Sequence, residues 1–209
     1  MQKTFIIAEA GVNHNGDMKF AYKLIDAAVG AQADAVKFQT FISEKNISKK
    51  ANKAKYQAIN TSNREESQLE MAKKLELKFD DFVSLKEYCD KVGIIFLTTP
   101  FDFESADSIS DLVDIIKLSS GEVTNLPFLK HAAKKGKPIL MSTGMCNFAE
   151  VEKAGSTIID NQPHFTSDFP PITLLHCTTN YPCPYALRCG YDHGSRYSLQ
   201  YACPKTAWL

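Results

Sequence analysis

Residues Asp114–Glu122 read DIIKLSSGE. An apolar run with a lysine at its centre passes directly into two serines, a glycine and a glutamate. A lysine in the middle of a buried strand is costly to desolvate unless a partner is supplied, so Lys117 marks either a structural ion pair or a site. Working outward, five more segments have the same character: Thr4–Ala10 (TFIIAEA), Asp34–Gln39 (DAVKFQ), Ile94–Thr98 (IIFLT), Pro138–Ser142 (PILMS) and Ile172–Cys177 (ITLLHC). With Asp114–Leu118 they are nearly continuous apolar runs, the mark of parallel strands covered on both faces. Helical segments alternate with them. Asp17 is placed to cap a helix that turns Phe20, Leu24, Ala27 and Ala28 to the sheet and ends near Gly30. Others fit Asp80–Lys91, Phe103–Leu112, Leu126–Lys135 and Phe148–Ile159, with Gly93 and Gly136 as stops. Gly11 and Gly16 are too sparse for a dinucleotide-binding turn. The repeated βα unit predicts an α/β fold: a (β/α)8 TIM barrel, incomplete, with about six βα units present, since the full fold takes eight units and about 250 residues.

Composition narrows the function classes. The chain has 209 residues, with 24 Lys and Arg against 24 Asp and Glu. A net charge of zero leaves no electrostatic footprint for nucleic acid. No apolar run approaches the roughly 20 residues of a membrane span, and the start, MQKTFIIAEAGVNHNGD, is unlike a secretory signal. The expectation is a cytoplasmic protein with neither membrane nor nucleic-acid partner. The cysteines agree with a reducing compartment: Cys89 and Cys146 are isolated, and Cys177, Cys183, Cys189 and Cys203 lack zinc-knuckle spacing. Between the second and third strands lies a long polar stretch, Ser43–Arg64, and an extra helix candidate around Glu65–Leu75. Such insertions commonly cover substrate.

Polar residues gather at the carboxyl ends of the strands, where barrel active sites are built. Glu9 closes the first strand, and Asn13-His14-Asn15-Gly16 follows it. Lys37 and Gln39 are two apart and share a face. Thr98 and Thr99 end the third strand, Ser119, Ser120 and Glu122 follow the fourth, Ser142 and Thr143 end the fifth, and His176 ends the sixth. Two lysines ringed by hydroxyls suit a small dianion, such as a phosphate ester bearing a carboxylate. The bland reading is that each lysine snorkels or pairs with a carboxylate. Glu9 and Glu122 each read as a general base, a hydroxyl-binding carboxylate or a solvated strand-end acid. His14 and His176 are ligands, acid–base groups or structural side chains, and Tyr181 before Pro182 shapes a turn or meets substrate. These residues describe a barrel-like enzyme for a small anionic substrate and do not name its reaction.

The ordered set IIAEAGVNHNGD, VKFQTF, ESQLEM, TTPFD, IKLSSGEVTNLPFL, ILMSTGM and LLHCTTNYPCPY resembles the sialic acid synthase family, which includes N-acetylneuraminate and legionaminate synthases. The resemblance runs from Thr4 to Tyr185. It implies an N-acetylneuraminate synthase-like transferase. Phosphoenolpyruvate would condense with the open-chain aldehyde of an N-acetylated amino sugar, N-acetylmannosamine or a diacetamido-trideoxyhexose, to give a nonulosonic acid and phosphate. A divalent metal, manganese or magnesium, would polarise the aldehyde. By the family pattern Lys37, Thr99, Lys117, Ser120, Ser142 and Thr179 hold phosphoenolpyruvate, with Thr179 replacing the polar residue that relatives use. Glu9, Gln39, Asn63, Glu122 and Tyr181 contact the amino sugar. Glu9, Lys37 and Lys117 are the candidate catalytic residues. Two other readings stay open: a Schiff-base aldolase with Lys117 as nucleophile, and a truncated, inactive synthase fragment.

The end of the chain departs from the family. Relatives continue with a helix, two strands that each supply a metal-binding histidine, and a small antifreeze-like domain that reaches the partner subunit of a homodimer. In this sequence GYDHG (Gly190–Gly194) follows Tyr185 too closely for a three-turn helix, which takes roughly 11 residues. His193 is therefore either a first metal ligand in a damaged motif or a coincidence, and no other metal ligand is assignable. Composition breaks at the same place: Ala186–Leu209 has no Ile, Val, Phe, Glu or Asn, yet contains Arg188, Arg196 and the single Trp, Trp208. The expectation is a synthase domain over 1–185 and an aberrant, out-of-frame tail over 186–209. An open barrel seam would leave unpaired strand edges, giving a poorly stable chain of weak or no activity, with dimerisation doubtful.

Overall fold

A computed structural model of the chain describes residues 4–48, 50–51, 67–163, 167 and 169–177. All six strands appear: β1 (Ile7–Gly11), β2 (Ala35–Thr40), β3 (Ile95–Pro100), β4 (Ile116–Leu118), β5 (Ile139–Ser142) and β6 (Ile172–Leu175). Helices α1 (Met18–Gly30), α2 (Ser43–Asn46), α3 (Gln68–Leu75), α4 (Phe79–Val92), α5 (Phe103–Ile109), α6 (Leu126–Ala133) and α7 (Phe148–Asn161) lie between them, with a 3-10 turn at Ser120–Glu122. This is an α/β fold with parallel sheets. It divides into two compact units between Val113 and Asp114.

In the first unit β1, β2 and β3 pair in that order, all parallel. One face of the sheet buries Val36, Phe38 and Phe96 against α1 and α4, from which Ile25, Phe82, Leu85 and Cys89 project. The Phe38 and Phe96 rings stack at 5.9 Å. Each fully buried ring contributes about 1.5–3 kcal/mol over an exposed one. Local signals set the helix ends. Asp17 accepts from the Lys19 N–H at 2.7 Å, Ser67 and Glu70 form a capping box on α3, and Gly93 closes α4 with φ at 79°.

Two expectations are corrected. The buried stripe of α1 is Ala21, Ile25 and Ala28, whereas Phe20 is 52% exposed and Ala27 is exposed. The helix is rotated because small Ala21 and Ala28 let its axis approach the sheet, and the Phe20 ring lies outside with the Lys23 ammonium 5.1 Å from its centroid. Helix α5 stops at Ile109 and does not reach Leu112. The Leu112 and Val113 N–H groups still bond back to Ile109 O, in a tightened turn that leads to β4.

The second unit repeats the plan with β4, β5 and β6, again parallel and consecutive. Its core is Ile116, Leu118, Ile139 and Met141 from the strands, with Phe128, Leu129, Ala132, Ala154 and Ile158 from α6 and α7. Asn147 and Glu150 form a capping box on α7. Among the described residues no helix is long and apolar enough to cross a membrane.

Candidate active site

In the first unit the site begins with an irregularity in β1. Glu9 lies opposite Lys37 and Gly11 opposite Phe38, so Ala10 is an extra residue in a β-bulge. Gly11 has φ at 54°, and a Cβ there would lie 3.2 Å from Glu9 Oε1 and 3.7 Å from Gln39 Nε2. A glycine is required both by the dihedral and by the two side chains crowding that face. The result is a cluster on one face of the sheet. Lys37 Nζ donates to Glu9 Oε1 at 2.9 Å and lies 2.7 Å from Glu9 Oε2. It also donates to Thr99 Oγ1 at 3.3 Å. The Lys37 side chain is 10% exposed and that of Glu9 38%. Gln39, half-buried, follows two residues along the same face. Thr98 belongs to the other face, where its hydroxyl bonds Thr40 Oγ1 at 2.7 Å; of the two threonines only Thr99 reaches the lysine.

In the second unit Lys117 is buried and donates to Leu118 O and Ser142 Oγ, each at 2.7 Å. Lys117 lies opposite Leu140, so Ser142 is two residues further along the same face. Ser120 Oγ accepts the Gly144 N–H at 2.8 Å, which leaves the hydroxyl proton to donate elsewhere. A Cβ on Gly144 would come within 3.2 Å of both Ser120 Oγ and Cys177 Cβ. Glu122 sits half-buried on the 3-10 turn and accepts from Asn125 Nδ2 at 2.7 Å. His176 is exposed just after β6.

His14 is fully buried, its Nδ1 accepts the Gly16 N–H at 3.0 Å, and its ring lies 6.2 Å from that of Phe38. Burial lowers its pKa below the usual imidazole value, against a smaller opposing pull from Asp81. Asn63, Thr179, Tyr181 and His193 lie outside the described residues, as does the stretch 186–209.

Among the described residues no group of three or more His, Cys, Asp or Glu side chains is placed to hold a metal ion. Glu9 has both oxygens against Lys37, and Glu122 is engaged by Asn125. The described donor set therefore does not fit a divalent cation.

Sequence reasoning gave no site role to Gly11 and Gly144, which crowd these clusters, or to Asp102, which ties the loop after β2 to α5. Asp102 had a local signal, since an aspartate immediately before a helical run is a favoured N-cap. The glycines had none, because the side chains that crowd them come from other strands.

Each unit thus holds a buried lysine on a parallel strand, bonded to a hydroxyl of the next strand, in an α/β fold. The chain belongs to the NeuB family, whose model matches residues 24–188. It is 50% identical over 186 residues to the N,N'-diacetyllegionaminic acid synthase of Campylobacter jejuni, covering 88% of this chain and 54% of that protein. It is 46% identical to the protein of the same name from Legionella pneumophila, covering 87% of this chain and 50% of the relative. Among solved structures it is similar to an N-acetylneuraminic acid (sialic acid) synthetase from Leptospira borgpetersenii in complex with citrate. That match has a TM-score of 0.72 and 32% identity, over 88% of this chain and 57% of the other. The chain spans about half the length of the curated relatives it matches.

Proposed function

We propose that this chain carries the substrate-binding strands of a nonulosonic acid synthase on an incomplete (β/α)8 plan. The reaction condenses phosphoenolpyruvate with an N-acetylated amino sugar. The observation that carries this reading is the recurrence, in each unit, of a buried lysine within a strand with a hydroxyl partner: Lys37 with Thr99, and Lys117 with Ser142. Phosphoenolpyruvate carries a carboxylate and a phosphate, and a buried ammonium beside a hydroxyl suits an anionic group of either kind. Lys37, Thr99, Lys117, Ser120, Ser142 and Thr179 bind its anionic groups. Glu9, Gln39, Asn63, Glu122 and Tyr181 bind the amino sugar. The enol carbon of phosphoenolpyruvate attacks the sugar aldehyde, forming the new C–C bond. Water adds to the resulting cationic carbon, and phosphate leaves the tetrahedral intermediate with its bridging oxygen. Fixed ammonium groups stabilise the charge that develops on the leaving phosphate. A divalent metal, manganese or magnesium, belongs to this reading by resemblance alone, and the roles given to the lysines do not depend on it. Resemblance to the legionaminic acid synthases, at 50% and 46% identity, favours a diacetamido-trideoxyhexose over N-acetylmannosamine.

The test is phosphate release from phosphoenolpyruvate with each sugar in turn, beside Lys37→Met and Lys117→Met. The expected result is weak, sugar-dependent release by the 209-residue chain that falls by about a further hundredfold or more in either variant, the scale of losing a charge-stabilising donor. No release with either sugar, together with no phosphoenolpyruvate binding by calorimetry, sinks the proposal. A pyruvate adduct trapped by borohydride on Lys117 supports the aldolase instead.

Residues 186–209 we assign to a tail of separate origin from the synthase domain over 1–185. The composition break and the end of the family match at residue 188 support this. Reading the coding sequence in its other two frames tests it: the idea fails if neither restores a helix and a histidine-bearing strand.

A further inference from the structure

Past the ends of β2 and β3 the two loops are tied by one carboxylate. The strand pairing runs to Thr40 opposite Pro100, and the Phe101 N–H extends it by donating to Thr40 O at 3.0 Å. The next backbone donor on the β2 side, the Ile42 N–H, bonds Asp102 Oδ2 at 2.9 Å. The same oxygen accepts from Asn46 Nδ2 at 3.2 Å and Ser105 Oγ at 2.7 Å, while Oδ1 accepts the Ser105 N–H at 2.8 Å. Asp102 is 8% exposed. Three donors converge on Oδ2 and one bonds Oδ1, so most of the acceptor capacity of the carboxylate is spent inside the fold. Buried and bonded to donors on both sides of the strand exit, Asp102 contributes through geometry.

Capping α5 accounts for only part of that geometry. A cap needs the single bond to the Ser105 N–H, whereas the bonds to Ile42 and Asn46 leave the helix and cross to the loop after β2. A second clamp acts on the same exit, where Glu76 accepts the Ser43 N–H at 2.9 Å. The chain that leaves β2 is therefore held from α5 on one side and from the end of α3 on the other. Within β2 the last residue on the site face before this exit is Gln39. Lys37 lies deeper and is fixed by its own bonds to Glu9 and Thr99.

The geometry points to Asp102 as a positioning residue that fixes the exit of β2, and with it Gln39, on the amino-sugar side of the site. This rests on the synthase reading and deepens it. Phosphoenolpyruvate binding, which uses Lys37 and Thr99, should depend on Asp102 far less than amino-sugar binding does.

Asp102→Ser separates the two roles, because serine caps a helix well but is too short to reach the Ile42 N–H. Asp102→Asn keeps an acceptor for the cap and presents a donor to Ile42. In the 209-residue chain, hydrogen exchange of a peptide covering residues 41–48 should quicken by about tenfold in both variants, the scale of one lost hydrogen bond. Exchange over α5 should stay near wild type in Asp102→Ser. In steady-state kinetics the KM for the amino sugar should rise by about five- to tenfold, with the KM for phosphoenolpyruvate changed by less than about twofold. Unchanged exchange over 41–48, or equal losses for both substrates, overturns the inference. A wild-type chain without turnover counts against the synthase reading alone, and the exchange comparison then decides whether Asp102 fixes the exit.

Discussion

Removing the charge of Glu9 while keeping that of Lys37 should cost more than the reverse, and the asymmetry follows from exposure. The ammonium lies 2.7 Å from the nearer carboxylate oxygen, with the Lys37 side chain 10% exposed and that of Glu9 38%. At an effective dielectric near 20 the gross attraction at that distance is about 6 kcal/mol. Desolvation of the ammonium offsets most of it, and solvent at Glu9 screens the remainder, leaving a net coupling of about 1–2 kcal/mol. In Glu9→Gln the buried ammonium keeps Thr99 and a neutral amide but loses its counter-charge, so stability should fall by about 1–2 kcal/mol. In Lys37→Met the apolar stem is retained and the stranded carboxylate can turn to water, so the cost should stay below about 1 kcal/mol. The double variant should match Lys37→Met alone. Urea unfolding followed by circular dichroism measures all three, and each kcal/mol corresponds to about 2–4 °C in Tm for a chain of this size. A Lys37→Met variant less stable than Glu9→Gln, or a coupling below about 0.3 kcal/mol, would refute the reasoning.

Three other predictions rest on single positions. Burial lowers the pKa of His14, so the unfolded chain takes up that proton more readily than the folded one. Its stabilising contribution is complete above the ordinary histidine value of about 6.5 and is lost as pH falls below it. His14→Gln should flatten the urea midpoint between pH 7 and 5, and an unaltered pH profile counts against this. Gly16 has φ at 76°, and a Cβ there would lie 2.4 Å from Lys74 O; Gly16→Ala should therefore destabilise by about 2 kcal/mol or more, through left-handed strain plus overpacking. A variant melting within a degree of wild type would contradict it. Cys89 is fully buried, and burial pushes its thiol pKa up to about 12. Mass spectrometry after iodoacetamide treatment at pH 8 should find it unlabelled until the chain unfolds; rapid native labelling would be the opposing result.

Local physics made much of the fold legible in the sequence. Apolar runs long enough for a strand but too short for a helix, bounded by Asp, Asn and Gly signals, placed all six strands within a few residues. Caps at Asp17 and Gly93 closed α1 and α4 where expected. The two-residue period of a strand put Lys37 and Gln39 on one face before any partner was known. The rotation of α1 was not legible. Which of Phe20, Ala21 or Ile25 points inward depends on how closely the helix axis approaches the sheet, a property of the neighbouring strands.

The sequence by itself determined the βα order, the family and the pair of lysines set in buried strands, because each is carried by residue type and spacing within one segment. Only the tertiary structure decided what those lysines touch. Lys37 meets Glu9 and Thr99 because a bulge at Ala10 and the register of three strands bring together residues far apart in the chain. Lys117 meets Ser142 through the pairing of β4 with β5. The same holds for Asp102, whose local signal announces a helix cap. Its tie to the loop after β2 exists only because parallel pairing sets Thr40 beside Pro100. Hydrogen bonds across strands are fixed by register, and register is a property of the assembled sheet, so no single segment encodes them.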